Sequence, residues 1–330
     1  MSMKVARRHL VAAGALALAV PMRGARAQPT WPAARPIRLV VGFPPGGSGD
    51  FLARTLAEPL GRELRQTVIV DNRPGAGSNI ASEAVARSEP DGHSLLLGGN
   101  FSHAVNPALY RRVPFDPVAD FTPITRLTDL PTVIAVRPET GVTTLQQLLE
   151  RARAEPGRWS YATPGNGTPS HLAGAMLAKV AGLDLTHVPF RGGAPSLQAV
   201  LAGDVHILIG TPPVALPQVR GGRLLALCLT TREASPAIPD VPGTEQAGLP
   251  ALDIGGWWGL WGPAGLPAPV RVRLFEAATR IIVQPAVQER LAQEGLQALP
   301  SASPEEFDVS VRREIPFWAE VVRTAGASVE

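Results

Sequence analysis

Cysteine occurs once in this 330-residue chain, lysine only at positions 4 and 179, and tyrosine twice. The lone Cys228 excludes an intrachain disulfide, a CxxC redox pair and a cysteine-built zinc site. Its place in the apolar run LLALCLT reads as that of a small buried hydrophobe. The basic residues are scattered, and no basic run is interleaved with aromatics, so the pattern of a nucleic-acid-binding surface is missing. The six histidines form no HExxH motif and no other local pair at ligand spacing. His206, between Val205 and Ile207, reads as a satisfied core histidine. No metal or cofactor is expected.

What is present begins with an export signal. Lys4, Arg7 and Arg8 precede an apolar run from Leu10 to Val20, and Ala25-Arg26-Ala27 supplies a small-x-small cleavage site. The run is about half of the roughly 20 residues that span a bilayer, which favours a cleaved leader over an anchor. Residues 1–27 are therefore read as a signal peptide cut near Ala27, with Arg7-Arg8 leaving twin-arginine export open beside the general route. The expected location is the periplasm. Five of the 31 basic residues (Lys4, Arg7, Arg8, Arg23 and Arg26) and no acid lie in this leader, leaving 26 basic against 28 acidic residues, a net charge of −2. The high isoelectric point of the whole chain thus gives no reason to expect nucleic acid or membrane as a partner.

Four segments repeat one plan of apolar strand, glycine-rich turn and helix: IRLVVGFPPGGSGDFLARTL, TVIVDNRPGAGSNIASEAVAR, WSYATPGNGTPSHLAGAMLAKV and LTHVPFRGGAPSLQAVLAG. Such alternation predicts an α/β fold with largely parallel sheets and ligands at the carboxyl ends of the strands. Further strands are predicted at HSLLLGGN and TVIAVRP, separated by a proline-broken stretch from Val113 to Pro123, and a helix over Thr143 to Arg153. The tail is helical. Ser303 is placed as a cap, with Pro304 in the first turn and Glu306 three residues on, and Pro316 is expected to bend or restart that last helix.

Catalytic motifs fail one by one. GSGDFL lacks the third glycine of a dinucleotide fingerprint, no lysine follows the glycines as a phosphate loop requires, and GGSGD misses the hydrolase elbow by one residue. A secreted serine hydrolase using Ser48 with His103 or His171 remains the alternative, against the commoner role of a serine at a helix start as a cap. The turns themselves carry the main argument. Phe43 to Asp50, Gly165 to His171 and Arg191 to Ser196 each bring glycines, a proline and a hydroxyl to a helix start, where main-chain N–H groups and the helix dipole favour an anion. Each bond to a charged group contributes about 1.5–3 kcal/mol. Micromolar binding needs about 8 kcal/mol net, so one turn is marginal and two facing turns suffice.

The chain also resembles the substrate-binding proteins of tripartite tricarboxylate transporters, the family of the Bordetella uptake proteins. The likeness runs through RPIRLVVGFPPGGSGD, VIVDNRPGAGSNIASEAVARSEPDGHSLLLGG, HAVNPALY, FTPITRL, GNGTPSHLAGAML, VPFRGGAPSLQAVLAGDV, PDVPGTEQAGLP and WWGLWGPAGLPAPV, in this order. The resemblance implies an extracytoplasmic, periplasmic binding protein-like Venus flytrap of two α/β domains joined by a two-crossing hinge. Residues 28–130 plus 255–330 would form the first domain and 131–254 the second. It further implies a monomeric, non-enzymatic receptor that captures a small carboxylate, whether di- or tricarboxylate, amino acid or aromatic acid, for membrane permease subunits or for sensing. By motif, the ligand-binding residues are Phe43, Gly46, Gly47, Ser48 and Asp50, with Asn100 and His103, facing Asn166, Thr168, Ser170 and His171, with Gly192, Gly193 and Ala194. Asp50 is read either as a helix cap or as a partner for a ligand amine, and His171 and Arg191 either as contacts or as supports. His206 stands where the family usually has an acidic residue, Ile209-Gly210-Thr211 where it usually has a phenylalanine-acid or similar pair, and WSYATPGNG replaces a serine-rich lead-in. The identity of the ligand does not carry over across those changes.

Overall fold

The computed structural model describes residues 31–33 and 35–329. The expected signal peptide over 1–27 lies outside the described residues. In chain order the elements are β1 (Ile37–Val41), α1 (Ser48–Leu64), β2 (Val68–Asn72), α2 (Asn79–Ala86), β3 (Ser94–Gly99), α3 (Asn106–Leu109), β4 (Phe121–Leu130) and β5 (Val133–Val136). They continue with α4 (Leu145–Ala154), β6 (Ser160–Thr163), α5 (Pro169–Ala181), β7 (Thr186–Pro189), α6 (Gly193–Ala202), β8 (Ile207–Gly210), α7 (Pro212–Arg220) and β9 (Leu225–Leu229). The chain closes with β10 (Gly256–Pro263), α8 (Ala268–Ile282), α9 (Pro285–Gln293) and α10 (Pro304–Ala325).

The strands make two five-stranded sheets, ordered β2-β1-β3-β10-β4 and β7-β6-β8-β5-β9. The four repeated strand-turn-helix units are those that run parallel, β1 with β2 and β3, and β6 with β7 and β8. The expectation of largely parallel sheets needs correction at two strands. β10 runs antiparallel to β3 and β4, and β5 antiparallel to β8 and β9. The reason is connectivity, because parallel pairing requires a crossover helix between strands, whereas β5 and β10 are each entered directly from the other sheet. β4 also extends through Pro123, so the proline-broken stretch ends three residues earlier than the pattern suggested, at Asp120.

The chain passes between the sheets twice, through Pro131-Thr132 and through the segment 230–255. Thr230 N–H donates to the Thr132 carbonyl at 2.8 Å, and the Thr230 hydroxyl to the Ile254 carbonyl at 2.6 Å, so the two passages are bonded side by side. Apolar residues of β1 and β3 pack beneath α1 and α8 in one core, where Leu39, Leu52, Leu97 and Leu274 are fully buried. The second sheet has a core on each face, one around Ile134, Leu148 and Leu177 and one around Val133, Leu208 and Ala215. Burying a side chain of this size stabilises the fold by about 1.5–3 kcal/mol.

The last helix starts as its sequence requires. The Ser303 hydroxyl accepts from Glu306 N–H at 3.1 Å, while the Glu306 carboxylate accepts from Ala302 N–H at 3.0 Å. It does not restart at Pro316 but runs unbroken to Ala325. A proline deletes a single helix bond, and the packing on either side outweighs that loss. Phe307 and Val311 are buried against Trp257 and Trp261 beside the first sheet, and Trp318, Val321 and Val322 are buried with Leu172 and Leu177 beside the second.

Candidate functional site

The carboxyl ends of β1, β6 and β8 and the turn after β7 lead into helix starts that meet at one cavity of about 40 Å³. From the first sheet it is lined by Phe43, Pro44, Gly47, Ser48 and Gly49, and from the second by Pro164, Thr168, Pro169, Ser170, Gly192 and Gly193, with Thr211 ahead of α7. Beside it, sharing Phe43, Pro44, Pro164, Thr168 and Gly192, lies an outer cavity of about 560 Å³ that adds Tyr110, Gly165, Asn166, Phe190 and Arg191 to its walls.

The helix starts are open donors. Gly47 caps α1 and Gly192 caps α6, neither with a side-chain bond, and the N–H groups of Ser48, Gly49 and Gly193 meet no protein acceptor among the described residues. Ser48 is thus the first helical residue and not the cap. At α5 the Thr168 hydroxyl accepts from His171 N–H at 3.2 Å and donates to the Gly165 carbonyl at 2.7 Å, which shapes the turn while leaving Ser170 free. The Ser170 hydroxyl is buried on the cavity wall with no protein partner. Three helix N-termini with unpaired donors face one small space, an arrangement that by the physics of helix ends favours negative charge.

Of the residues named from sequence, Phe43, Gly47, Ser48, Thr168, Ser170, Gly192 and Gly193 line the inner cavity, and Asn166 lines the outer one. The others stand behind them or apart. Gly46 turns the chain at φ +87°, where a side chain is strained, and donates its N–H to Asp50 at 3.1 Å. Asp50 itself is buried and also accepts from Arg54 Nε at 3.0 Å. Burial opposes the charge, but the bonds from Arg54 and Gly46 outweigh it and hold the carboxyl below its usual range. It closes the turn and lines neither cavity.

Asn100 donates to the Gly255 carbonyl at 3.2 Å, at the passage between the sheets. His103 is fully buried in a π-helical turn, stacked on Trp261 at 4.0 Å, with Nδ1 2.9 Å from the Ser102 hydroxyl; burial pushes it to about 3. His171 accepts from Gly167 N–H at Nδ1 and stacks on His187, and burial pushes it to about 4. Ala194 is exposed on the first turn of α6. Ser48 has no histidine hydrogen-bonded to it among the described residues, so no base for a serine nucleophile is assembled there. His206 accepts from Ser160 N–H and is half-buried at the start of β8.

The sequence reading named Phe43 but missed its two aromatic neighbours. Phe43, Phe101 and Trp258 meet edge to face with centroids 5.0–6.0 Å apart, and Trp258 and Phe101 both line the inner cavity. The Trp258 Nε1 is buried there without a protein acceptor. The signal was the WWGLWG run, whose alternation in β10 sends Trp258 to one face of the sheet and Trp257 to the other.

A family model for the tripartite tricarboxylate transporter family receptor matches residues 52–309. The chain belongs to this family. Its members are periplasmic solute-binding receptors, and among relatives BugT of Bordetella pertussis is 32% identical over 302 residues, 91% of this chain and 92% of that protein. A protein of R. palustris solved with adipate superposes with a TM-score of 0.87 at 31% identity, covering 91% of this chain and all of the other. MatC from Rhodopseudomonas palustris, solved with bound malate, has a TM-score of 0.82 at 32% identity, covering 88% and 99%. The fold is the two-sheet Venus flytrap of periplasmic binding proteins.

Proposed function

We propose that this receptor captures a small carboxylate in the inner cavity and passes it, chemically unchanged, to the membrane subunits of a tripartite tricarboxylate-type transporter. The observation that carries the reading is the meeting of α1, α5 and α6 at one space with the N–H groups of Ser48, Gly49 and Gly193 and the hydroxyl of Ser170 unpaired among the described residues. Ser48, Gly49 and Gly193 would donate main-chain N–H groups, Ser170 its hydroxyl, and Phe43, Phe101 and Trp258 would cover the ligand's carbon skeleton. Gly46, Asp50, Asn100, His103, His171 and Ala194 act in this reading by holding the turns, not by touching the ligand. Adipate and malate in two relatives support the carboxylate assignment. A hydrolase would need a base beside Ser48, and neither His103 nor His171 is hydrogen-bonded to it.

The working form is taken to be a periplasmic monomer with residues 1–27 removed. Its two domains, 28–130 plus 255–330 and 131–254, would close on the ligand about the paired passages. Calorimetry of refolded, ligand-free protein against di- and tricarboxylates, amino acids and aromatic acids tests the assignment. Binding of at least one acid with compaction in solution scattering is expected. A folded protein that binds none of them would overturn it.

A further inference from the structure

Phe43, Pro44, Pro164, Thr168 and Gly192 line both cavities, so the two lie side by side and a ligand longer than the inner space would lead toward the outer one. The inner space of about 40 Å³ compares with the roughly 10–15 Å³ of probe volume that one water needs, so it holds only about three water-sized groups, a carboxylate and little more. The remainder of any ligand must extend into the outer space. What that space offers is uneven in charge. Among the described residues no aspartate or glutamate lines either cavity, and Asp50, the acid of the first turn, is turned away onto Gly46 and Arg54. Arg191 lines the outer wall, exposed, and its guanidinium makes no ion pair or hydrogen bond among the described residues.

Resting on the carboxylate reading, we infer that Arg191 is the specificity-determining residue of the outer cavity. It selects acids that carry a second anionic group at the far end of the chain and no ammonium. The planar guanidinium fork binds a carboxylate in two places at once. A ligand ammonium, by contrast, would leave water to meet glycine N–H donors, aromatic rings and a like charge, with no acid to pair it. The outer cavity therefore rejects amino acids as much as it selects diacids. Selectivity arises from the absence of a counter-charge as well as from the presence of one.

The test is calorimetry of the wild-type protein and of Arg191→Gln and Arg191→Lys. The probes are unbranched α,ω-diacids of four to eight carbons, the monoacids of matched length, and the 2-amino derivative of the best diacid. For the wild type the best diacid is expected to bind at least tenfold more tightly than its matched monoacid, and its 2-amino derivative at least tenfold more weakly than the diacid. Arg191→Gln should bring the diacid down to the monoacid's affinity and leave the monoacid unchanged, with Arg191→Lys in between. Equal weakening of both acids by Arg191→Gln, an unaltered diacid affinity, or a 2-amino derivative that binds as well as its parent would overturn the inference while the carboxylate reading stands. If no acid of either series binds the folded protein, the inference falls, and the carboxylate reading falls with it when the tricarboxylates, amino acids and aromatic acids fail as well.

Discussion

Replacing Ser170 by alanine should make the empty receptor no less stable and the loaded one weaker. The residue is only 1% exposed, and its hydroxyl has neither donor nor acceptor among the described residues. A buried hydroxyl left unpaired costs about 1–3 kcal/mol, less whatever a cavity water returns, so its removal relieves the empty state. Alanine is also the better residue in a helical first turn by a few tenths of a kcal/mol, about the difference between the two intrinsic helix propensities. In the loaded state the same hydroxyl would donate to a charged oxygen, a bond of about 1.5–3 kcal/mol, equivalent to a roughly 10–150-fold rise in Kd. The assay pairs thermal melts of protein refolded without ligand with calorimetry against its best acid. An unliganded midpoint that holds or rises by about 1–2 °C, on the order expected for a sub-kcal/mol gain in a chain of this size, together with a Kd at least tenfold higher, is the expected result. A lowered midpoint with unchanged Kd would refute the reasoning, because it would make Ser170 a structural residue.

Three more outcomes follow. In Gly49→Ala the new Cβ would stand 2.6 Å from Trp258 Cη2 with both residues buried, so the urea midpoint should fall by an amount equivalent to about 1–3 kcal/mol of overpacking and the tryptophan emission should shift; an unaltered spectrum and midpoint would contradict the close packing of α1 on β10. His103, His171 and His187 are pushed by burial to about 3, about 4 and about 3, so between pH 6.5 and 4 the unfolded chain binds protons that the folded one refuses and stability falls with pH. Asp129, pushed up by burial to about 6, opposes this between pH 6 and 4, but as one group against three, so the urea midpoint should be lower at pH 4.5 than at pH 7, and a flat or rising midpoint would refute the assignment. Cys228 is fully buried with its thiol pushed up to about 12, and a thiol reagent at pH 8 should react with it only after denaturant is added; rapid reaction in the native state would place it elsewhere.

The repeated strand-turn-helix units were legible because their signals are local: alternating apolar residues, a glycine at the turn, a helix start a few residues on. The direction of β5 and β10 was not, since it depends on which strand each meets after leaving the other sheet. The cavity shows the same division. Gly47, Ser48, Thr168 and Gly193 belong to turns that a single stretch of sequence displays, and they line it. Asn100 and His103 lie beside such a turn by motif, yet Asn100 faces Gly255 across 155 positions and His103 faces Trp261, contacts that spacing along the chain does not reveal. Trp258 and Phe101 were missed for the same reason, and the unpaired state of the Ser170 hydroxyl exists only once its surroundings are assembled.

The unbroken run of α10 has a mechanical consequence. Its first half is anchored beside one sheet and its second half beside the other, so any swing of one half of the molecule must flex or slide this rod. Pro316 falls between the two anchorages, after Val311 and before Trp318. There the Arg312 carbonyl lacks its helical donor, which makes this the most compliant point of the rod. Any closure of the two halves would thereby work against a stiffness set at a single peptide unit, far from the cavity between them.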